Sequence, residues 1–190
     1  MAMTSDTPFA ENEYPIVVDV ETAGPNPSSY ALLSIGACTL AEPQQTFYIE
    51  LRPVSMAYKR SAVRISGLSL EKLSEKGTPP RRAMQQFAEW VAEVLPAGAA
   101  PLFTAFNAPF DWMFVSDYFH RYLGRNPFGH KALDIKAFYM GQRSVTWAET
   151  SLQEIRKHYN YGKPLSHHAL QDAVDSAVLF RHILTRSENA

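Results

Sequence analysis

An apolar run, Pro15-Ile16-Val17-Val18, passes into strict alternation at Asp19-Val20-Glu21-Thr22 before Ala23-Gly24, the pattern of a buried strand. Side chains of a strand alternate faces, so Asp19 and Glu21 share one side, one pleat apart. Gly24-Pro25-Asn26-Pro27-Ser28-Ser29 is dense in turn formers, and the apolar stretch Tyr30 to Leu40 beyond it predicts a hairpin. Ala41-Glu42-Pro43 is a further turn before Gln44 to Leu51, where Phe47 and Ile49 alternate with polar neighbours as in an antiparallel edge strand. The chain is therefore expected to begin as a three-stranded meander.

From Arg52 to Pro80 the pattern is irregular, apart from Ser69 as the cap of a short helix through Leu73. Met84, Phe87, Trp90 with Val91, and Val94 recur at helical spacing and predict a helix over 81–95, stopped by Pro96 and Gly98. Pro101 to Phe106 reads as a short strand buried on both faces, and Asn107 with Pro109 opens a helix that runs to Gly124. Leu133 to Ala137 reads as a last short strand, and Ser151-Leu152-Gln153-Glu154 is a capping box opening a helix to about Tyr159. A long helix over 166–186 closes the chain, with Leu170, Ala173, Val174, Ala177 and Phe180 facing inward. Antiparallel strands first, then alternating helix and strand, specify an α/β mixed sheet flanked by helices.

Composition narrows the class. The 190 residues, 46% hydrophobic and 19% charged, suit one globular domain over 15–186 behind a flexible tail at 1–14. A net charge of -1 excludes a broad polybasic surface, so a nucleic-acid partner would have to be held locally. Cys38 is the sole cysteine, which excludes an internal disulfide framework and a cysteine-rich zinc site and fits a reducing cytoplasm. Residues 1–14 lack the order of a signal peptide, and no apolar run approaches the ~20 residues of a membrane span. A soluble, cytoplasmic protein with no membrane partner is expected.

Further charged or titratable groups stand out in two places, around Asp111 and around Asp172. Asp111 lies in the first turn of a helix, where an acid by itself only complements the macrodipole, but large apolar residues bracket it in Asn107-Ala108-Pro109-Phe110-Asp111-Trp112-Met113-Phe114. Asp172 follows His167 and His168; His167 falls at or before the helix start, while His168 and Asp172 are four apart on one face. Asp175, three residues on, reads as solvated. Asp19, Glu21, Asp111 and Asp172 form an all-oxygen acid set suited to Mg²⁺ or Mn²⁺ rather than zinc. Such a set supports in-line displacement at phosphorus with two ions about 3.5–4 Å apart. A histidine with a pKa of about 6.5 can take the proton of the attacking water.

Asp19-Val20-Glu21-Thr22, Asn107-Ala108-Pro109-Phe110-Asp111 and His167-His168-Ala169-Leu170-Gln171-Asp172-Ala173 resemble, in this order, the three motifs of the DEDDh, or DnaQ-like, 3′-to-5′ exonucleases, and the resemblance spans roughly residues 15–184. It implies an RNase H-like fold with a central five-stranded mixed sheet, and two Mg²⁺ or Mn²⁺ ions. It further implies that Asp19 bridges the ions, that Glu21 and Asp172 hold the one that activates water, and that Asp111 serves the other. The family's base stands five residues before the last acid, which selects His167. Thr22 and Ala23 would line the pocket of the terminal nucleotide, with Asn107 and Phe110 also contacting substrate. Ile65 matches the family's apolar wedge or, alternatively, is core. Phe106 departs from the histidine that many relatives carry before the asparagine.

The activity implied is removal of nucleoside 5′-monophosphates from the 3′ end of single-stranded DNA or RNA. A homodimer is a further implied partner, for which the residues give no interface signal. The contrasting reading is a catalytically silent nucleic-acid-binding or scaffold module of the same fold. Arg156, Lys157 and Lys163 are either phosphate contacts or a solvated face, and the aromatics between Phe103 and Phe119 are expected to be mostly core.

Overall fold

The computed structural model describes residues 8–161 and 166–185. Its sheet is built on β1 (Glu13–Thr22), with β2 (Leu32–Thr39) antiparallel to it and β3 (Thr46–Glu50) antiparallel to β2, the expected meander. On the other side of β1, β4 (Ala100–Ala105) and β5 (Ala132–Asp134) join in parallel, completing a five-stranded mixed sheet of order β3-β2-β1-β4-β5.

Alternation along β1 divides two cores. Ile16, Val18 and Val20 enter the layer made by α3 (Pro80–Val94) and α4 (Ala108–Leu123), where Phe87, Phe103, Phe114, Tyr118 and Phe119 are fully buried. Val17 faces the opposite layer, built by α5 (Ile135–Arg143), α6 (Leu152–His158) and α7 (Ala169–Thr185) around Ile135, Ile155 and Phe180. Each such side chain taken from water contributes about 1.5–3 kcal/mol, which sets the strand register firmly.

Several boundaries differ from expectation. β1 starts ahead of residue 15, because Glu13 and Tyr14 pair with Ala100 and Pro101, and Phe9 meets Phe180 edge-on at 6.1 Å; residues 9–14 are thus not a free tail. α1 (Arg60–Ser66) was not expected: it buries no residue and has no side-chain cap, so it leaves no apolar stripe in the sequence. α2 (Leu70–Lys76) is capped by Ser69, as expected, but runs past Leu73 to Lys76. The strand expected over 133–137 ends at Asp134, whose Oδ1 accepts the Ala137 N–H at 2.7 Å and turns the chain into α5. The closing helix begins at Ala169 rather than Ser166, because His167 has a left-handed φ of 54°. Its expected end at Arg186 lies outside the described residues. Asp175, expected in solvent, is instead buried, where it accepts hydrogen bonds from Gln171 Nε2 at 2.9 Å and the Tyr161 hydroxyl at 3.4 Å.

Two features of this sheet position a site. The parallel pairing with β4 stops at Val17, opposite Thr104, while pairing with β2 continues to Thr22, so residues 18–22 overhang the parallel strands. Opposite Asp19 on β2 stands Gly36, where a Cβ would lie 2.1 Å from the Leu170 nitrogen and 2.2 Å from the Ala169 carbonyl carbon. The absent side chain lets the first turn of α7 rest directly on the sheet.

Candidate active site

The overhanging end of β1 carries Asp19 and Glu21 on the side of the sheet that Val17 faces, towards α7. α7 brings Asp172, buried at 3% exposure, in its first turn. Its carboxylate gathers the preceding turn: Oδ1 accepts the Ser166 N–H at 2.9 Å and the Ser166 hydroxyl at 3.0 Å, and Oδ2 accepts the His167 N–H at 2.9 Å. Each carboxylate oxygen has two lone pairs, so capacity for a cation remains. One donor atom each from Glu21, His167 and Asp172 lies within 4.8 Å of the others, the tight donor group among the described residues.

Asp111 arrives from the other layer. It sits in the first turn of α4, and its Oδ1 accepts the Val20 N–H at 3.0 Å, a donor that β4 is too short to satisfy. The carboxylate is thereby pinned between Asp19 and Glu21 in the chain. Burial pushes Asp111 up to about 8 against the opposing pull of the Val20 bond, with Glu21 and Asp134 adding to the rise. Burial likewise raises Asp19 well above the usual carboxylate range, reinforced by Asp111, Glu21 and Asp172. Glu21 is pushed up to about 7 by burial and then by Asp172. These shifts record acids crowded without a counter-charge, and an oxygen-only set of this kind fits hard divalent cations.

The two histidines part company here. His167 turns towards Glu21 and Asp172, whereas His168 lays its ring on Tyr48 of β3, centroids 4.4 Å apart and 24° between planes. Among the proposed substrate contacts, Thr22 and Ala23 are buried; the Thr22 hydroxyl donates to the Gly24 carbonyl, and the Ala23 backbone is bonded to Ala31 and Lys59. Ile65 is 49% exposed on α1, so it is not core. Asn107 is exposed with a φ of 65° and makes no side-chain cap, and Phe110 is half-buried with its ring 5.5 Å from Phe114. Phe106 is half-buried against the α7-side core. The Arg156 guanidinium lies over the Tyr161 ring, Lys157 is exposed, and Lys163 lies outside the described residues.

Reading along the chain passed over Ser166, Gly36 and Asp134. Ser166 adjoins the histidine pair, and Asp134 ends a strand immediately before a helix, so both carried a local signal; Gly36 carried none, because its role depends on which helix lands on it.

Comparison with known proteins agrees with this arrangement. The RNase_T exonuclease family model matches residues 16–180. The 3′-5′ DNA exonuclease Cap18 of Escherichia coli is 46% identical over 178 residues, which cover 94% of this chain and 95% of that protein. Ribonuclease T of Escherichia coli strain K12 is 28% identical over 186 residues, 91% of this chain and 85% of its own. Among solved structures, the nuclease domain of 3′hExo, a DEDDh family member bound to rAMP, shares 16% identity and a TM-score of 0.76 over 91% of this chain and 92% of that one. Escherichia coli Exonuclease I in complex with a dT13 oligonucleotide shares 15% identity and a TM-score of 0.71 over 93% of this chain and 42% of that one. At these identities the two structures speak for a common RNase H-like fold.

Proposed function

We propose, for a chain that belongs to the DEDDh, DnaQ-like 3′-to-5′ exonuclease family, that Asp19, Glu21, Asp111 and Asp172 hold two Mg²⁺ or Mn²⁺ ions and that His167 is the general base for removing nucleotides from the 3′ end of single-stranded DNA. The chain is a hydrolase, a 3′-to-5′ exonuclease, and its family uses divalent metal ions. The observation that carries the assignment of roles is the meeting of Glu21, His167 and Asp172 within 4.8 Å, with Asp19 and the buried Asp111 close enough to act on one another's charge.

Bound cations would offset the mutual repulsion of the four acids, polarise the scissile phosphoryl group and make a water more acidic. His167 would take the proton of the attacking water, and the bond from its backbone N–H to Asp172 Oδ2 holds the residue at the site. Asp111 holds its position through the Val20 N–H, leaving Oδ2 for the shared task. Ile65, exposed on α1, is the wedge at the terminal base, and Thr22, Ala23, Asn107 and Phe110 border that nucleotide. DNA is the polymer proposed because the 46% identical relative is a DNA exonuclease, while ribonuclease T stands at 28%.

The test is digestion of matched 5′-labelled single-stranded DNA and RNA, and of a duplex, with Mg²⁺ or Mn²⁺. A ladder of shortened DNA products that disappears with EDTA and with Asp19→Ala is expected. Activity unchanged in Asp19→Ala would overturn the metal assignment, and faster digestion of RNA would overturn the choice of polymer.

A further inference from the structure

Between Glu50 and Glu71 the chain carries no acid but four cations, Arg52, Lys59, Arg60 and Arg64, although its net charge is only -1. All four are exposed, and among the described residues none has a carboxylate partner. The same stretch exposes large apolar side chains: Val54 at 44%, Met56 and Tyr58 at 52%, and Ile65 at 49%. Lys59 Nζ lies 5.8 Å from the Tyr30 ring centroid, and Arg52, Arg60 and Arg64 are left to solvent; a surface that combines exposed apolar side chains with unneutralised cations marks a binding site.

The segment is nevertheless held in place. Val63 packs inward on the small cluster of Ala23, Ala31, Leu33, Leu70 and Leu73. The Lys59 N–H donates to the Ala23 carbonyl at 2.8 Å, which ties α1 to the chain two residues beyond Glu21. Arg60 and Arg64, four apart on α1, share a face. The patch therefore adjoins the end of β1 that carries Asp19 and Glu21.

We infer that residues 52–65 form a track for the single strand upstream of its scissile 3′ end, with Lys59, Arg60 and Arg64 on successive phosphates and Tyr58 as a stacking platform. Interleaved cations and exposed rings suit a single strand, because every base offers a π-face and every link a negative charge. The acids at the site repel a polyanion, so cations placed just outside it would offset the cost of bringing the 3′ end in. This track rests on the exonuclease reading above and extends it from the terminal nucleotide to the strand behind it.

The test is the variant Lys59→Gln/Arg60→Gln/Arg64→Gln against wild type, on 5′-labelled dT20 and on a thymidine dinucleotide with Mn²⁺. kcat/KM on dT20 should fall at least about tenfold, mainly through KM, while the dinucleotide changes less than about twofold. The slope of log(kcat/KM) against log[salt] on dT20 should flatten by about 2, at ~0.7 per phosphate for three contacts. Tyr58→Ala should weaken dT20 about fivefold or more, and the Arg/Lys exchange Lys59→Arg/Arg60→Lys/Arg64→Lys should restore most of the loss. An equal loss on both substrates, or none on dT20, overturns the track. Fluorescence anisotropy of labelled dT20 in EDTA reads the track without chemistry, and there an unchanged Kd in the triple glutamine variant also overturns it, as does a changed oligomeric state with unchanged dT20 affinity. Wild type that binds dT20 through these residues but cleaves neither substrate would instead sink the exonuclease reading.

Discussion

Asp111 accepts the backbone N–H of Val20 at 3.0 Å, joining the first turn of α4 to the central strand β1 across 91 residues of sequence. The bond exists because β1 outlasts β4, and an orphan strand donor is satisfied by an acid that also faces the site. Charge and acceptor can be separated by mutation. Asp111→Asn keeps an oxygen for Val20 and removes the ionisable group, whereas Asp111→Ala strands the donor at a cost of about 1–3 kcal/mol. Both should lose at least about a hundredfold in activity, but in EDTA the alanine variant should melt roughly 2–10 °C below the asparagine variant. Equal melting temperatures would remove the structural half of this role.

The crowded acids set a pH dependence of stability in the metal-free protein. Asp111 at about 8 and Glu21 at about 7, against 3.8 and 4.5 in an unfolded chain, keep protons that the unfolded state has already released, and Asp19 shifts the same way. Their contribution is present below the unfolded values and is lost as pH rises through 7 to 8. In EDTA the melting temperature should fall from pH 5 to pH 8, and Mn²⁺ should raise it more at pH 8 than at pH 5. A flat or rising profile in EDTA contradicts this.

The histidines should separate cleanly. His167→Ala should lower kcat by about 10²–10⁴ with dT20 affinity retained, as for loss of a general base. His168→Ala forfeits only the stack on Tyr48, about 0.5–1.5 kcal/mol, and should keep activity within about tenfold. Single-turnover rates for the two variants decide it, and a larger loss for His168→Ala would reverse the roles.

Gly36→Ala should be damaging out of proportion to one methyl group, since the new Cβ would lie 2.1 Å from backbone of α7 rather than from a side chain that could yield. The first turn of α7 must shift, and Asp172 with it. A stability loss of about 1–3 kcal/mol or more, together with a drop in kcat, is expected from thermal melts and initial rates; a fully active Gly36→Ala enzyme would show that α7 has slack.

Cys38 should be inert. Its thiol is fully buried, donates to the Ala173 carbonyl at 3.6 Å, and is pushed by burial up to about 12. Without thiolate there is no nucleophile, so an aromatic disulfide reagent at pH 8 should label it only at the rate of unfolding. Prompt labelling of the native protein would place Cys38 at the surface.

Much of the fold was legible because its signals are local. The apolar run into Asp19 and Glu21, the helical spacing of Met84 through Val94, and the caps Ser69 and Ser151 all act within a few residues, and each produced the expected element, with β1 starting earlier and α2 ending later than expected. α1 was illegible because it buries nothing, and α5 because the Asp134 cap overrides the strand character of Leu133 to Ala137. Asp175 misled because charge argues for solvent, while Gln171 and Tyr161 supply partners that only the packed helix brings near.

The sequence by itself determined the chemistry available: four acids, two of them on one strand face, a histidine pair before the last, and a single cysteine, too few for a thiolate-rich metal site. Tertiary structure alone decided which of these meet. His167 faces the acids because His168 is drawn to Tyr48, Asp172 sits close because Gly36 has no side chain, and Asp111 reaches Val20 because one strand is longer than its neighbour. Alternation and capping are properties of a few adjacent residues and can be read in one dimension; convergence depends on differences in element length and on surfaces that come into contact only when the layers close.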